Sequence, residues 1–369
     1  MRNRLQTILT NNRNWFLSYL FNEKTVSQFY RSNENGFTKK GIFMKITIND
    51  VAKHARVSKA TVSRVINKNM SVNIEIRERV LDSIKTLGYF PNAFAKNLVK
   101  NTSNVIGLVL PDITNPYFPT VARGIEDAAH RYGYSLFIAN TDNNPTVERE
   151  YIEKMISQQV GGIILISSAL DDQRVQELES LNLPFVLCDR LLTNTSFDTV
   201  TIDNYTAAYE AVTRLINLGH TRICHLAGPK NVYSSERRVK GYLQAIREYQ
   251  LEPIILSGDF NYESGYQLTK SMLKSHNPSA IFAGNDLIAL GAMNAVQEEG
   301  FTIPTDISIV GFDDILFSQM SRPKLSTISV PAYQLGTTAL DMLVDRIKGV
   351  RIEPKNMVLD YQFIQRETN

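Results

Sequence analysis

Residues Thr47 to Ile66, TINDVAKHARVSKATVSRVI, constrain this chain more than any other stretch. Thr47, followed three residues later by Asp50, is the pattern of a helix start in which side chains and backbone cap one another. Val51, Ala52 and Ala55 then recur at the spacing of one helical face. Arg56-Val57-Ser58 interrupts the run, and Ser58 is placed to cap a second helix whose inner face is Val62 and Val65. Small apolar groups at the crossing let two short helices approach closely. The outer face of the second helix carries Lys59, Ala60, Thr61, Ser63, Arg64 and Asn67. Short polar groups with two cations are the set that reaches base edges and phosphates in a DNA major groove. The stretch therefore predicts a helix-turn-helix. An ordinary amphipathic helix pair with a solvated face is the bland alternative.

Charge separates the two readings. The chain as a whole is only +3, but residues 44–101 hold eleven Lys/Arg against four Asp/Glu. Residues 1–43 hold seven against two, and the remainder holds 22 against 31. A basic head on an acidic body fits a nucleic-acid module attached to a part with another task. After the helix pair, Asn73 is placed to cap a third helix through Leu87, stopped by Gly88, with Val80, Ile84 and Leu87 inward.

Beyond Val105 the sequence alternates apolar runs with helical patterns. The strand candidates are Val105–Leu110, Ser135–Ala139, Gly162–Ile166, Phe185–Cys188, Ile223–Ala227, Ala280–Ala283 and Ile307–Val310. This alternation predicts an α/β body of parallel sheets covered on both faces. Ligands of such sheets bind beyond the carboxyl ends of the strands. The residues found there are Asp112, Asn115, Tyr117 and Phe118 after the first strand, Asp189-Arg190 after the fourth, Asn285-Asp286, and Asp313-Asp314. Asp112, Asp286 and Asp314 also suit the plainer role of helix caps. Arg238 adds a planar fork able to grip paired hydroxyls or a carboxylate. With aromatic rings to stack on, this set suits a sugar or sugar derivative.

VAKHARVSKATVSRVIN, then GYFPNAFAKNL, then IGLVLPDITNPYF, in that order, resemble the LacI/GalR family of bacterial transcription regulators, nearest its ribose- and catabolite-type branches. The resemblance runs from about Lys45 to the C-terminus. It implies a helix-turn-helix headpiece (44–90), a hinge helix (91–101) and a two-lobed effector and dimerisation domain similar to periplasmic sugar-binding proteins (102–369). It implies DNA contacts from Thr47, Ser58 and the outer face of the second helix, and from Asn92, Ala95 and Leu98 of the hinge, Leu98 entering the minor groove. It implies effector contacts from Phe118, Arg238, Asn285 and Asp313, with Tyr117, Arg190 and Phe260 as further candidates. The partners expected are a near-palindromic operator, a second copy of the chain and a sugar-like effector. A purine corepressor or a phosphoprotein on the outer face stays open.

Residues 1–43 fit no element of the family. They read as an extension, disordered or untranslated, with a basic DNA-touching arm as the alternative. Cys188 and Cys224 fall in expected buried strands and read as reduced core residues of a cytoplasmic protein. No apolar run approaches a membrane span. A transport-type binding protein would need a secretory signal, which the N-terminus lacks. An enzyme is disfavoured because G-x-S-x-G, P-loop, H-E-x-x-H and G-x-G-x-x-G patterns are missing. No catalytic residue, metal ligand or cofactor is expected.

Overall fold

The structure, a computed structural model, describes residues 46–67, 71–90, 103–166, 172–181, 183–190 and 196–369. The chain divides into an N-terminal unit, 1–96, and a body, 97–369. Asn92, Ala95 and Leu98 of the expected hinge, and the expected extension 1–43, lie outside the described residues.

The N-terminal unit contains α1 (Ile48–Ala55), α2 (Lys59–Ile66) and α3 (Ile74–Leu87). Its local chemistry explains each boundary. The Asp50 carboxylate accepts from the Thr47 backbone N–H at 2.8 Å and from the Thr47 hydroxyl at 2.6 Å. Arg56 ends α1 in the left-handed region, with φ 53°, and the Ser58 hydroxyl oxygen accepts the Thr61 N–H at 3.1 Å to open α2. Asn73 caps α3 and Gly88 ends it at positive φ, as expected. Val51, Ala55, Val62 and Val80 are fully buried and close the small core, with Ile84 and Leu87 half-buried against it. A polar tie that the sequence did not signal joins α1 to α3. His54 Nδ1 lies 3.0 Å from the Ser83 hydroxyl, which donates to the Arg79 carbonyl.

The body consists of two lobes, each built on a six-stranded sheet. The first sheet has the order β2 (Ser135–Asn140), β1 (Val105–Leu110), β3 (Gly162–Ile166), β4 (Phe185–Cys188), β5 (Asp198–Ile202) and β11 (Asn356–Leu359). All its pairings are parallel. The second has the order β7 (Ile254–Ser257), β6 (Ile223–Ala227), β8 (Ala280–Ala283), β9 (Ser308–Asp313), β10 (Ser326–Ser329) and β12 (Gln362–Ile364). Only β10–β12 is antiparallel there. The chain therefore crosses between sheets after β5, returns after β10, and crosses again after β11. An apolar cluster draws on Leu110, Ile166 and Val200 of the first sheet and on Phe282, Val310 and Phe312 of the second.

Helices cover both sheets. In the first lobe α4 (Tyr117–Tyr132) packs on α12 (Ala332–Ile347), with α5 (Pro145–Ser157) and α6 (Asp172–Glu179) also in that lobe. In the second, α7 (Asn204–Asn217) packs on α8 (Tyr233–Glu248), and α9 (Tyr262–Ser275) on α10 (Asp286–Glu298), with the short α11 (Leu316–Met320) following β9. The α4–α12 crossing depends on Gly336, where a Cβ would lie 2.2 Å from the Val121 carbonyl oxygen. Among the described residues no helix is long and apolar enough to cross a membrane.

The seven expected strands all form, and five more join them. Where β5 and β11 pair, the fully buried Asp198 accepts from both terminal nitrogens of Arg351, at 2.8 and 2.6 Å, and from the Lys355 N–H at 2.8 Å. A buried carboxylate so paired anchors the returning chain. Cys188 and Cys224 are buried and free, as expected.

Candidate functional site

A cleft of about 420 Å³ opens between the lobes at the carboxyl ends of the strands. It gathers Tyr117, Phe118, Arg238, Phe260, Asn285 and Asp313, which lie far apart in sequence. Arg238, on the first turns of α8, is 5% exposed. Its Nε donates to Asn204 Oδ1 at 2.9 Å and its Nη1 to the Gly284 carbonyl at 2.6 Å. Its Nη2 lies 3.5 Å from Asp313, and its guanidinium stacks 3.6 Å from the centre of the Phe312 ring. The guanidinium is thus oriented by contacts on several sides, with N–H capacity left toward the cleft.

Asp313 ends β9, is 7% exposed, and has φ 111°. Burial pushes its carboxyl well above the usual range, and Arg238 pulls it back. Asp189, at φ 58°, is raised by burial and lowered by Arg238, Ser234 and Asn204. Asp142 and Asn143, at φ 50° and 57°, line the same cleft. Asp and Asn tolerate the left-handed region best among residues with a side chain, and such strain concentrates at ligand sites. Asn285 caps α10 by accepting the Ile288 N–H at 2.9 Å, and its amide donates to the Phe260 carbonyl at 3.3 Å. Phe260 lies over Gly228, where a Cβ would come within 2.3 Å of the ring. On the facing lobe Tyr117 and Phe118 meet edge to face at 5.2 Å, Tyr117 buried and Phe118 half-buried.

Arg190 is not among the residues lining the cleft. Its guanidinium stacks 5.5 Å from the Tyr233 ring, and its buried Nε and Nη1 find no hydrogen-bond partner among the described residues. Three expected caps prove otherwise. Asp286 is fully buried, accepts the Ile315 N–H and the Ser318 hydroxyl on one oxygen and the Thr327 hydroxyl on the other, and leaves the capping of α10 to Asn285. Asp314 pairs with Arg366 at 2.6 Å. Asp112 is a turn former rather than a helix cap, accepting the Thr114 N–H and hydroxyl on one oxygen. Asn204 was not singled out by the sequence. It opens α7 one residue after the end of β5, and only the fold brings it to Arg238, 34 residues away.

In the N-terminal unit Lys59, Ala60, Arg64 and Asn67 are exposed along α2, as are Thr47 and Ser58 before their helices, while Thr61 and Ser63 are half-buried. The Ser58 hydroxyl lies 2.9 Å from that of Thr61, so both serve the cap. Lys59 and Arg64 make no ion pair among the described residues.

Residues 103–367 match the family described as periplasmic binding proteins and sugar binding domain of LacI family, and residues 47–92 match bacterial regulatory proteins, lacI family. The chain is 39% identical to the ribose operon repressor of Halalkalibacterium halodurans over 87% of this chain and 96% of that protein. It superposes on a lac repressor dimer bound to operator and an anti-inducer with TM-score 0.79 and 31% identity, covering 88% of this chain and 98% of the other. A LacI-family regulator from Enterococcus faecium with bound ribose gives TM-score 0.66 and 32% identity, covering 72% and 98%. With its helix-turn-helix and its two-lobed cleft, the chain belongs to the LacI family of bacterial transcriptional regulators.

Proposed function

We propose that the protein is a repressor whose operator affinity is set by a sugar held between the lobes. The observation that carries this reading is the buried Arg238–Asp313–Asn285 cluster at the carboxyl ends of the strands, flanked by Phe118 and Phe260. A sugar offers hydroxyls that both donate and accept, and apolar C–H faces that stack on rings. Carboxylate, amide and guanidinium together meet the hydroxyls; the rings meet the faces. Two Arg190 nitrogens that find no partner among the described residues give it donors for a ligand or for closure of the lobes. Because a relative is named for the ribose operon and a neighbour holds ribose, a pentose is the first sugar to test.

On the DNA side, a homodimer presents two copies of α2 to two half-sites. Lys59, Ala60 and Arg64 reach base edges, with Thr47, Ser58, Thr61, Ser63 and Asn67 toward the backbone, and the hinge residues Asn92, Ala95 and Leu98 complete the contact. The sugar shifts the balance between DNA-competent and incompetent dimers only by its differential affinity for the two. The cleft binds rather than turns over its ligand, and the protein works in the cytoplasm.

A melting-shift screen of sugars, sugar phosphates and nucleobases, followed by gel shifts on the DNA upstream of the gene, tests the reading. A sugar that both raises the melting temperature and changes operator affinity supports it. No preference for any near-palindromic duplex over random DNA, with or without hits, overturns it. Sugar turnover that disappears in Asp313→Asn would overturn the binding role. Arg64→Ala should cost about 1–3 kcal/mol and relax specificity at one base pair. An equal loss on every sequence would make Arg64 a phosphate contact instead.

A further inference from the structure

The cleft carries an excess of negative charge that the binding of a sugar does not require. Among its described lining residues, five are carboxylates, Asp112, Asp142, Asp189, Asp259 and Asp313, and one is a guanidinium, Arg238. Arg238 is committed to Asp313, Asn204 and the Gly284 carbonyl, so its charge is already offset. Arg190, outside the lining, has Asp189, Glu148 and Glu236 as its charged neighbours. Three carboxylates at the rim make no ion pair among the described residues: Asp112, half-buried, and Asp142 and Asp259, both exposed. A cleft with walls of low polarisability concentrates the field of such a rim.

We infer that the cleft selects an uncharged sugar and rejects its phosphate ester, with Asp142 and Asp259 as the residues that discriminate. This rests on the sugar reading above and adds the charge class of the effector. A phosphate ester carries a charge near −2 and needs donors and cations. Here it would meet carboxylates on both lobes: Asp142 follows β2 of the first, and Asp259 follows β7 of the second. Rejection by like charge is an ordinary route to specificity. The regulator thus responds to a sugar before a kinase has acted on it, and phosphorylation of that sugar removes the signal.

The test is calorimetric titration of the full-length protein with ribose and ribose 5-phosphate, and with glucose and glucose 6-phosphate. The free sugar should bind at least about 100-fold tighter than its ester at low salt, since like-charge juxtaposition is worth several powers of e in affinity. About 0.5 M NaCl should shrink that ratio several-fold, because the rim is solvated and screened. The double variant Asp142→Asn/Asp259→Asn should shrink it about tenfold by tightening the ester. An ester that binds as tightly as the free sugar overturns the inference. A preference unmoved by both salt and the double variant also overturns it, assigning exclusion to shape. Silence from both sugars, free and phosphorylated, by a folded protein that still binds operator overturns the sugar reading, and this inference falls with it.

Discussion

The two lobes contribute to the cleft in different ways. The second lobe supplies groups that are immobilised before any ligand arrives: Arg238 with its nitrogens engaged and a ring against its face, Asn285 capping a helix, Asp313 at a strained strand end. The first lobe supplies mostly surfaces, the half-buried Phe118 and the exposed Asp142 and Asn143, beside the Asp189 carboxylate held by Ser234 and Asn204. A preformed polar socket fixes orientation at little entropic cost, and a wall of rings and rim charges tunes which ligands it accepts. Substitutions in the socket should therefore damage folding and binding together, and substitutions in the wall should damage binding alone.

The largest expected effect is that of Arg238→Ala. Removing the guanidinium leaves Asp313 buried without its counter-charge and Asn204 and the Gly284 carbonyl without their donor. Breaking a buried pair from one side costs about 3–5 kcal/mol. Urea unfolding should show a loss of that size, and sugars should no longer raise the melting temperature. Full stability with lost binding would make Arg238 a wall residue and erase the distinction between lobes.

A second effect lies behind the socket and depends on pH. Burial raises the Asp286 carboxyl from 3.8 to about 6, against three hydrogen bonds that favour its charged form. A carboxyl raised in the folded state binds its proton more tightly there than in the unfolded chain. Its contribution to stability therefore grows as pH falls from about 6 toward 4. His225, buried with Nδ1 2.9 Å from the Phe282 carbonyl and pushed down to about 4, acts in the opposite sense over an overlapping range. Its stabilising neutral form is lost as pH falls from 6.5 toward 4. Asp286→Asn removes the first contribution and leaves the second. Between pH 7 and 4.5 the variant should lose about 2 kcal/mol more stability than the parent. Equal pH dependence in both proteins would show that Asp286 is not raised by its burial.

The sequence carried the headpiece almost to the residue because helix caps and small apolar spacings are local signals: Thr47, Ser58, Asn73 and Gly88 each do what their type suggests. It carried the apolar central strands for the same reason. β5, β10 and β11 escaped because Asp198, Thr199, Ser326 and Asn356 look like loop residues until distant partners are known. Asp198 needs Arg351, 153 positions away, and the Ser326 N–H donates to Thr368 across 42. The cleft was legible as a set of strand ends, whereas its internal wiring was not. Asp286 reads as a cap because it stands at a helix start, and only the fold shows Asn285 in that place and Asp286 turned toward Ser318 and Thr327.

The smallest effect tests the wall. Phe118 packs edge to face on Tyr117 but is only half-buried, so its loss removes less core than any fully buried ring would. Phe118→Ala should weaken sugar binding about tenfold, or about 1.4 kcal/mol, through lost stacking area. Stability without ligand should fall by less than the roughly 3–5 kcal/mol typical of a fully buried phenylalanine. The preference for free sugar over its phosphate ester should stay intact, because the rim carboxylates remain. Titrating both ligands into this variant separates the two tasks of the first lobe. If Phe118→Ala weakened the free sugar and strengthened the ester, ring and rim would act as one element. If it destabilised the protein as much as Arg238→Ala is expected to, both halves of the cleft would be sockets, and the division between them would lie only in which side chains are buried.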